Sequence, residues 1–309
     1  MQDLNTKTIK VGSRGSKLAL TQSKHVINLL KSIHKNLSFE LITITTQGDT
    51  DRKSSLEKIG GTGVFTKKIE QALLDKSIDI AVHSAKDLPS VDTNGLTIGA
   101  VPPRAPFEDV WVANNNIALM DIKPNSIVGT SSPRRCAMLL NNRPDLEIRE
   151  IRGNIETRLM KVSENKYDAV IVARAGLFRL DLENVITQIL PVNVFVPAPG
   201  QGALAVQTRH DDKMIISLLQ SINDENSFRC LCIERMLLQK LNAGCSVAIG
   251  GIASFVDNEI HLNSTVLSKN GKRKIVASHK IYSDSDNKTL VDFVAEDLIK
   301  QGAMKLING

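Results

Sequence analysis

Two stretches decide the fold: KSIDIAV at residues 76–82 and NKYDAVI at residues 165–171. In each, a predicted helix runs into an aspartate, and the aspartate opens an apolar strand. The strand ends also repeat, because VGS at 11–13 and VGT at 128–130 each lead into a polar turn before a helix. The repeat predicts two similar α/β lobes, and a cleft between two such lobes is a natural ligand site.

Local patterns alternate between strands and helices from residue 8 to about residue 220. Apolar residues at i, i+3, i+4 and i+7 predict a first helix around Val26 and Leu30. Ser132 is a good N-cap and Pro133 a good first helical residue, so a helix is predicted to begin there. Further strands are predicted over residues 39–45, 78–82 and 169–173, and further helices over residues 64–74 and 155–163.

The last third of the chain changes period. Strands are predicted over residues 248–256, 259–267 and 274–282. The two intervening segments are hairpin turn signals, and the second contains Asn270-Gly271. A final helix is marked by Leu290, Val294 and Leu298. This order predicts a small antiparallel βββα domain.

Composition limits the class of protein. The chain has 309 residues, which suggests two or three domains, and its 42% apolar and 23% charged residues are typical of globular chains. Only 4% of the residues are aromatic, which argues against stacking platforms for bases or sugars. The formal net charge of +6 indicates either solubility or an anionic partner.

Cysteine spacing and hydropathy indicate the compartment. The four cysteines form no CxxC pair, which argues against a structural zinc site. Residues 1–10 contain no apolar signal segment, and the chain has no run of about 18 apolar residues. We therefore expect a cytoplasmic protein with reduced thiols.

Arginine and serine side chains collect at predicted strand-to-helix turns. A helix N-terminus offers free N–H groups and a positive dipole, and a guanidinium group matches a carboxylate or phosphate. Any one arginine is more simply part of a solvated helix face, but the set favours a polyanion site. Its members are Arg14, Ser16, Ser131, Ser132, Arg134, Arg135, Arg152 and Arg158.

A polar segment, HSAKDLP at residues 83–89, follows a predicted buried strand. The carboxyl ends of strands in a parallel α/β sheet point into the ligand crevice, so Asp87 is a candidate acid, base or counter-charge beside Lys86. Aspartate is also a common turn residue, which keeps a structural interpretation open. For His83 we favour a hydrogen-bonded structural role.

Two glycine-containing turns are further candidates. Cys245, in NAGCS at 242–246, is either a nucleophile or covalent attachment point, or a buried structural thiol. Gln201, in VPAPGQGA at 196–203, lies in a rigid crossover that is either a linker or a ligand contact. The cysteines interpreted as structural are Cys136, Cys230 and Cys232.

Eight motifs that run almost from end to end closely resemble those of the porphobilinogen deaminase family. They are GSRGSKLAL (12–20), TQGD (46–49), HSAKDLPS (83–90), RAPFEDVW (104–111), GTSSPRR (129–135), IRGNIETRL (151–159), PAPGQGAL (197–204) and LNAGCSVAIGG (241–251). Each motif alone is weak, whereas eight in the family's order are highly specific.

The resemblance implies an α/β fold of two periplasmic-binding-protein-like lobes and a small C-terminal α+β (βββα) domain. Lobe 1 would comprise residues 1–102 and 198–222, with the loop 49–63 as a candidate lid. Lobe 2 would comprise residues 103–197, and the C-terminal domain with the cysteine loop would comprise residues 223–309.

The resemblance also implies a transferase of porphyrin and heme biosynthesis. Such an enzyme deaminates four porphobilinogen molecules and joins them head to tail into the linear tetrapyrrole hydroxymethylbilane, releasing ammonia. The growing chain is attached to a dipyrromethane cofactor. This cofactor is itself made from two substrate molecules and is bound to the protein through a thioether. The implied protein is a monomer that needs no metal, nucleic acid or membrane.

Roles for single residues follow from the same motifs. Asp87 is implied as the catalytic carboxylate that stabilises positive charge on the pyrrole nitrogen. Cys245 is implied as the thioether attachment point. The other implied cofactor ligands are Lys86, Asp49, Ser132, Arg134, Arg135 and Arg158, and the implied substrate ligands are Arg14, Ser16, Arg152 and Gln201. Because every pyrrole brings an acetate and a propionate, the arginine set has a natural anionic ligand.

Two positions depart from the family's pattern. Gln47 stands where the family usually has arginine, and Thr62 where it usually has lysine. Both departures remove a positive charge near the implied cofactor loop, so neither residue is assigned as an anion ligand. Nearby lysines that offer compensating charge are Lys58, Lys67 and Lys68.

Two other classes of protein offer alternative interpretations. A non-enzymatic solute-binding or effector-sensing protein has the same two lobes, but it needs neither a cysteine loop nor a third domain and usually carries a signal peptide. A nucleic-acid binder suits the charge of +6, but few aromatic residues and scattered arginines count against it.

Overall fold

The computed structural model describes residues 8–46, 66–244 and 247–308. The elements in chain order are β1 (Thr8–Ser13), α1 (Lys17–Ile33), β2 (Ser38–Thr43), α2 (Lys67–Leu74), β3 (Ile80–Ser84), β4 (Leu96–Ala100), β5 (Asp109–Ala113), β6 (Ile127–Gly129), α3 (Pro133–Asn142), β7 (Glu147–Arg149), α4 (Ile155–Ser163), β8 (Ala169–Ala173), α5 (Arg174–Arg179), β9 (Gln188–Ile189), β10 (Leu204–Arg209), α6 (Lys213–Gln220), α7 (Glu225–Lys240), β11 (Ile249–Val256), β12 (Glu259–Leu267), β13 (Lys274–Tyr282), α8 (Asn287–Lys300) and α9 (Ala303–Ile307). Short 3₁₀ turns cover Ala85–Asp87, Asn114–Asn116 and Glu183–Val185.

In this described part of the chain, two five-stranded mixed sheets have the same spatial strand order and the same strand directions. The sheet of lobe 1 has the order β2-β1-β3-β10-β4, in which β1 runs parallel to β2 and β3 and β10 runs antiparallel to β3 and β4. The sheet of lobe 2 has the order β7-β6-β8-β5-β9, with β6 parallel to β7 and β8 and β5 antiparallel to β8 and β9. The prediction of two similar α/β lobes is therefore confirmed.

The two aspartates that precede the apolar strands make equivalent backbone contacts. Asp79 Oδ2 accepts the Lys10 N–H at 3.0 Å, and the Asp79 N–H donates to Lys10 O at 2.8 Å. Asp168 does the same with Ile127, at 2.6 Å and 2.9 Å. Each aspartate thus ties the start of its own strand to the neighbouring parallel strand, which is why the two sequence stretches resemble each other.

The helices before these strands also end alike. Lys76 and Asn165 close α2 and α4 in the left-handed region, with φ of 58° and 56°. In lobe 1 the Ile78 N–H donates to Ala72 O at 3.2 Å, so Ile78 still belongs to the closing turn of α2. The strand predicted over residues 78–82 consequently begins two residues later.

Each face of the lobe-1 sheet is covered by helices. Helices α1 and α6 cover the face on which Val82 and Val206 are buried. Helix α2 covers the other face, where Ala81 packs with Ile69 and Leu73. These helices hold the carboxyl ends of β1 and β3 in place, and the polar turns begin there.

The C-terminal strands form an antiparallel sheet in the order β11-β12-β13, and α8 packs on it through Leu290, Val294 and Leu298. The predicted βββα order is confirmed. By their contacts, Met1–Arg104 with Ala203–Arg229 form one compact unit, and Ala105–Gly202 with Cys230–Gly309 form the other. The C-terminal sheet thus shares a unit with lobe 2, while the three-domain limits stay a prediction.

Candidate functional site

Lobe 1 carries an open pocket of about 420 Å³ at the carboxyl ends of β1 and β3. Its walls bring together three predicted site residues: Arg14 and Ser16 from the β1–α1 turn, and Asp87 from the segment after β3. Ser16 also caps α1, because its hydroxyl accepts the Ala19 N–H at 3.3 Å. The pocket therefore combines the positive end of a helix with a carboxylate.

The position of Asp87 is set by the backbone that follows β3. Residues Ala85–Asp87 form a 3₁₀ turn, and the first N–H of this turn donates to Ala203 O at 3.0 Å. Ser84 accepts a hydrogen bond from Gln22 Nε2 of α1 at 2.9 Å. Both contacts fix the turn, so the Asp87 carboxylate is held at the pocket with the half-buried Lys86 beside it.

His83, for which the sequence favours a hydrogen-bonded structural role, is buried beside Gln207. The residue is 5% exposed, and among the described residues its Nε2 has no hydrogen-bond partner. Burial lowers the pKa of His83 to about 4, the amide of Gln207 opposes this shift, and the charge of Arg14 adds to it. The imidazole is therefore uncharged at neutral pH.

Lobe 2 contains a fully buried carboxylate that two arginines share. Asp109 Oδ2 accepts from Arg134 Nη1 at 2.6 Å, and Oδ1 accepts from Arg135 Nε and Nη2 at 3.0 Å and 2.7 Å. Burial alone would raise the pKa of Asp109, but the two guanidinium groups lower it well below its usual range. The two arginines are only 3% and 7% exposed, so both belong to an interior network, and their role as cofactor ligands stays a prediction.

Gln201 belongs to the same network. Its Nε2 donates to Asp109 Oδ1 at 2.9 Å and to Phe107 O at 2.8 Å, while its Oε1 accepts from Arg135 Nη2 at 3.4 Å. Ser132 caps α3 by accepting the Arg135 N–H, as predicted from its place before Pro133. The rigid crossover and the start of α3 therefore meet at one buried carboxylate.

Arg152 and Arg158 lie half-buried near the start of α4. Arg152 Nε donates to Glu150 Oε1 at 2.8 Å, but its buried Nη2 has no partner among the described residues. Arg158 Nε donates to Gly153 O at 3.0 Å. Burial, together with the charges of Arg135 and Arg152, lowers the pKa of Arg158 to about 10.

Arg179 is a candidate ligand that the sequence analysis missed. It is the last residue of α5, the helix that directly follows β8, and its Nη2 donates to Gly202 O at 2.7 Å. Burial lowers the pKa of Arg179 to about 10. The available signal was weaker than for Asp87, because Arg179 lies at the end of the short helix that follows β8 rather than directly after the strand.

The charged side chains described above for lobe 2 include more arginines than carboxylates. Asp109 pairs with Arg134 and Arg135, and Glu150 pairs with Arg152. No carboxylate in the described part of the chain forms an ion pair with the desolvated guanidinium groups of Arg158 and Arg179. Because burying a charge is costly without a counter-charge, this surplus favours an anionic ligand.

Several predicted features lie outside the described residues. They are Asp49, Cys245, Gln47, Thr62, Lys58 and the candidate lid over residues 49–63. The described chain on either side of the cysteine ends α7 at Lys240 and begins β11 at Ile249. The roles of Asp49 and Cys245 stay predictions.

Within residues 8–46, 66–244 and 247–308, no group of three or more His, Cys, Asp or Glu side chains is placed to hold a metal ion. None of the described helices combines the length and the apolar character that crossing a membrane requires. Cys136 is a free thiol, and burial raises its pKa.

The solved structures that the comparison finds share little sequence with this chain. The VFT2 domain of BvgS from Bordetella pertussis is 14% identical, with a TM-score of 0.43, and the match covers 74% of this chain and 92% of that chain.

Comparison with protein families and curated proteins agrees with the motifs. Residues 9–217 match the family described as "Porphobilinogen deaminase, dipyromethane cofactor binding domain", and residues 228–300 match "Porphobilinogen deaminase, C-terminal domain". A porphobilinogen deaminase of Geobacillus kaustophilus is 46% identical over 302 residues, 97% of each chain. One of Macrococcus caseolyticus is 46% identical over 274 residues, 88% of this chain and 89% of its own. The chain therefore belongs to the porphobilinogen deaminase family.

Proposed function

We propose that this protein deaminates porphobilinogen and joins four molecules of it head to tail into hydroxymethylbilane, with release of ammonia. The observation that carries the proposal is the match of residues 9–217 to the cofactor-binding domain of the family. The surplus positive charge of lobe 2 supports it, because every pyrrole of the cofactor and of the growing product carries an acetate and a propionate.

Dipyrromethane fits the residues of lobe 2. Arg158 and Arg179 are desolvated and have no described carboxylate partner, and buried donor atoms of Arg134 and Arg152 lack acceptors among the described residues. A group that carries several carboxylates satisfies such donors. When bound, the dipyrromethane supplies the nucleophilic pyrrole carbon to which the first substrate unit is joined.

The residue roles of the proposal combine motif and geometry. We assign binding of the cofactor and the growing chain to Ser132, Arg134, Arg135, Arg158 and Arg179. By motif, we add Lys86, Asp49 and the thioether at Cys245. We assign binding of the substrate to Arg14, Ser16, Arg152 and Gln201. The burial of Arg134 and Arg135 makes their proposed role more specific. Their two guanidinium groups share one carboxylate, so a net positive charge is held rigidly in place. Preorganised cations bind a carboxylate without first having to be ordered.

In lobe 1, the pocket supports the chemistry at the substrate. Positive charge develops on the pyrrole nitrogen as ammonia leaves the aminomethyl group, and again as the new carbon–carbon bond forms. The Asp87 carboxylate stabilises this charge and accepts the proton that the joined pyrrole carbon then loses. Arg14 and Ser16, at the N-terminus of α1, hold a substrate carboxylate in the same pocket.

The proposal includes a cytoplasmic monomer that uses no metal, nucleic acid or membrane. Membership of a family that acts on a small molecule supports this choice. Turnover should be unchanged after dialysis against a chelator, and size-exclusion chromatography should give the mass of one chain. A chelator-sensitive rate that added metal restores would contradict this part of the proposal.

The experiment is a product assay on the purified holoprotein with porphobilinogen. We expect hydroxymethylbilane, with four ammonia molecules released for each product molecule. Asp211→Asn, an exposed carboxylate of the same lobe, serves as the matched control for Asp87→Asn. Tight binding of porphobilinogen without ammonia release would contradict the proposal and favour the solute-binding alternative.

A further inference from the structure

The lobe-1 sheet buries a polar chain, Glu70–Gln207–His83, on the face beneath α2. Gln207 Nε2 donates to Glu70 Oε1 at 3.1 Å, and Thr66 Oγ1 donates to Glu70 Oε2 at 3.4 Å. His83 and Gln207 lie on the same face, since Gln207 is two residues from Ala205, the antiparallel partner of His83. Glu70, Gln207 and His83 are 4%, 1% and 5% exposed.

The position equivalent to His83 in lobe 2 is apolar. Asp79 and Asp168 make the same backbone contacts, so the strands that follow them can be aligned residue by residue. This alignment places His83 at the position of Val172, which is buried in an apolar cluster.

The other two members of the chain also correspond to apolar residues. Gln207 corresponds to Val112, because the residues that they face across the sheet are themselves equivalent. Glu70 corresponds to Leu159, because each lies at the same distance before the left-handed residue that closes its helix. Val112 belongs to the same apolar cluster as Val172, and Leu159 packs against it.

The shared fold therefore does not require these polar groups. His83 Nε2 and Gln207 Oε1 are buried without partners among the described residues, which is unfavourable for folding. His83 also lines the pocket that contains Asp87. A polar chain kept at such a cost, ending at a reaction pocket, indicates a functional requirement.

We propose that His83 is a further residue of the reaction site, an uncharged hydrogen-bonding wall that receives the aminomethyl group of the substrate beside Asp87, and that Gln207 and Glu70 are positioning residues that hold its ring. The inference rests on the proposed function. An aminomethyl group is an ammonium ion at neutral pH, so a cationic neighbour would repel it, whereas a neutral imidazole accepts its hydrogen bond.

Three charged residues belong to the surroundings of His83. Arg14 from the β1–α1 turn and Asp87 from the turn after β3 line the same pocket, and Glu70 from α2 belongs to the same polar chain. The carboxylate of Asp87 offsets the positive charge of Arg14 in the pocket. The Glu70 carboxylate accepts a hydrogen bond from the amide nitrogen of Gln207, and the Gln207 amide in turn opposes the lowering of the His83 pKa. His83 thus has the polar chain beneath α2 on one side and also lines the pocket.

The first test is kinetic. His83→Val copies the side chain of lobe 2, and we expect it to raise KM for porphobilinogen about tenfold, the loss of one hydrogen bond to a charged group, with a smaller change in kcat. His83→Asn keeps a neutral hydrogen-bonding group and should recover most of that loss. Gln207→Val should raise KM about threefold, since it acts only through the ring.

The matched control is Val172→Ala, at the equivalent position of lobe 2, which should lower thermal stability and leave KM unchanged. A His83→Val enzyme that loses stability but keeps the wild-type KM would overturn the proposal. If His83→Val does not fold, the KM values of His83→Asn and Gln207→Val test the proposal instead. A wild-type KM in Gln207→Val would then overturn the proposal. A ring that is charged at pH 6, read from the ¹⁵N shifts of His83 in the wild type, would overturn it as well.

Failure of this inference is distinguishable from failure of the proposed function. The wild-type product assay comes first, and only a protein that makes hydroxymethylbilane enters the His83 series. Absence of product in the wild type would reject the proposed function, whereas an unchanged KM in the variants of an active enzyme would reject the role of His83 alone.

Discussion

Lobe 1 and lobe 2 build the same sheet but bury polar groups at different positions. Lobe 1 has His83 where lobe 2 has Val172. Conversely, lobe 2 has Asp109 where lobe 1 has Leu204, since each pairs with the last residue of the equivalent strand. One lobe thus gains an uncharged polar wall beside the Asp87 pocket, and the other gains a carboxylate that fixes two arginines. The difference teaches that two sheets with the same strand order carry different buried polar groups at their strand ends, which fits the separate roles that we propose for the two lobes.

The largest effect is expected from breaking the lobe-2 network. Asp109→Asn leaves two buried guanidinium groups without their carboxylate, so the free energy of unfolding should fall by about 3–5 kcal/mol. Glu147→Gln, which breaks an exposed ion pair with Arg149 in the same lobe, should change it by less than about 1 kcal/mol. Urea unfolding measures both, and equal effects would remove the distinction between the buried network and the surface.

The next effect concerns the pocket of lobe 1. Asp87→Asn should lower turnover by about 10²–10³-fold, because the amide no longer stabilises the positive charge that develops on the pyrrole nitrogen. The thermal midpoint should stay close to that of the wild type, since Asp87 is half-buried at an open pocket. Near-normal turnover in this variant, measured beside Asp211→Asn, would refute the role of Asp87.

The pH dependence of stability should separate the lobes. The folded-state pKa of His83 is about 4, below the ordinary histidine value of 6.5, so the unfolded chain binds the proton first as pH falls from 6.5 towards 4. Stability should therefore decrease over that window by an amount on the order of 3 kcal/mol. The lowered pKa of Asp109 makes the free energy of unfolding depend on pH only below about 3.8, the ordinary pKa of an aspartate in the unfolded chain.

His83→Val should accordingly flatten the stability curve between pH 6.5 and pH 4, while Val172→Ala, at the equivalent and non-titrating position of lobe 2, should leave the slope in that window unchanged. Urea midpoints at closely spaced pH values provide the measurement. An unaltered slope in His83→Val would show that the ring is already solvated or charged in the folded protein.

A smaller effect is expected from the cations that lack a described carboxylate partner. Arg158→Leu and Arg179→Leu should each weaken handling of the anionic chain by about tenfold, because one charge-assisted hydrogen bond is lost. The stage of elongation at which intermediates accumulate should differ between the two variants, as read by mass spectrometry. Arg149→Leu, at an exposed residue, is the control, and an identical loss at every stage would indicate a folding defect instead.

The smallest effect is expected from Cys136→Ser. Cys136 lies on α3, is half-buried and has a raised pKa because of burial, so it is not an activated thiol. The variant should keep its cofactor and most of its activity, with a change in stability of about 1 kcal/mol. Loss of covalent pyrrole from this variant would reassign the attachment point.

Local sequence signals predicted most of the fold. Residues 155–163, 169–173, 259–267 and 274–282 form the predicted elements with the predicted bounds, because periodicity, caps and hairpin turns act over short distances. The pocket residues Arg14 and Asp87 were found for a related reason, since the carboxyl end of a strand is recognisable in sequence.

Buried polar partners could not be predicted in this way. Asp109 meets Gln201 across 92 positions, and Glu70 meets Gln207 across 137 positions. Such contacts depend on which strands become neighbours in the sheet, and local sequence patterns do not predict strand pairing. The arginines of α3 were therefore expected at a ligand surface, whereas the structure shows their side chains in the interior of lobe 2.

The most direct measurement is the intact mass of the purified wild-type protein and of Cys245→Ser, before and after incubation with porphobilinogen. The account predicts a wild-type excess equal to two condensed pyrrole units on the Cys245 peptide, further pyrrole additions with substrate, and no addition to Cys245→Ser. Covalent pyrrole on Cys245→Ser, or a bare wild-type chain that gains nothing from porphobilinogen, would contradict it.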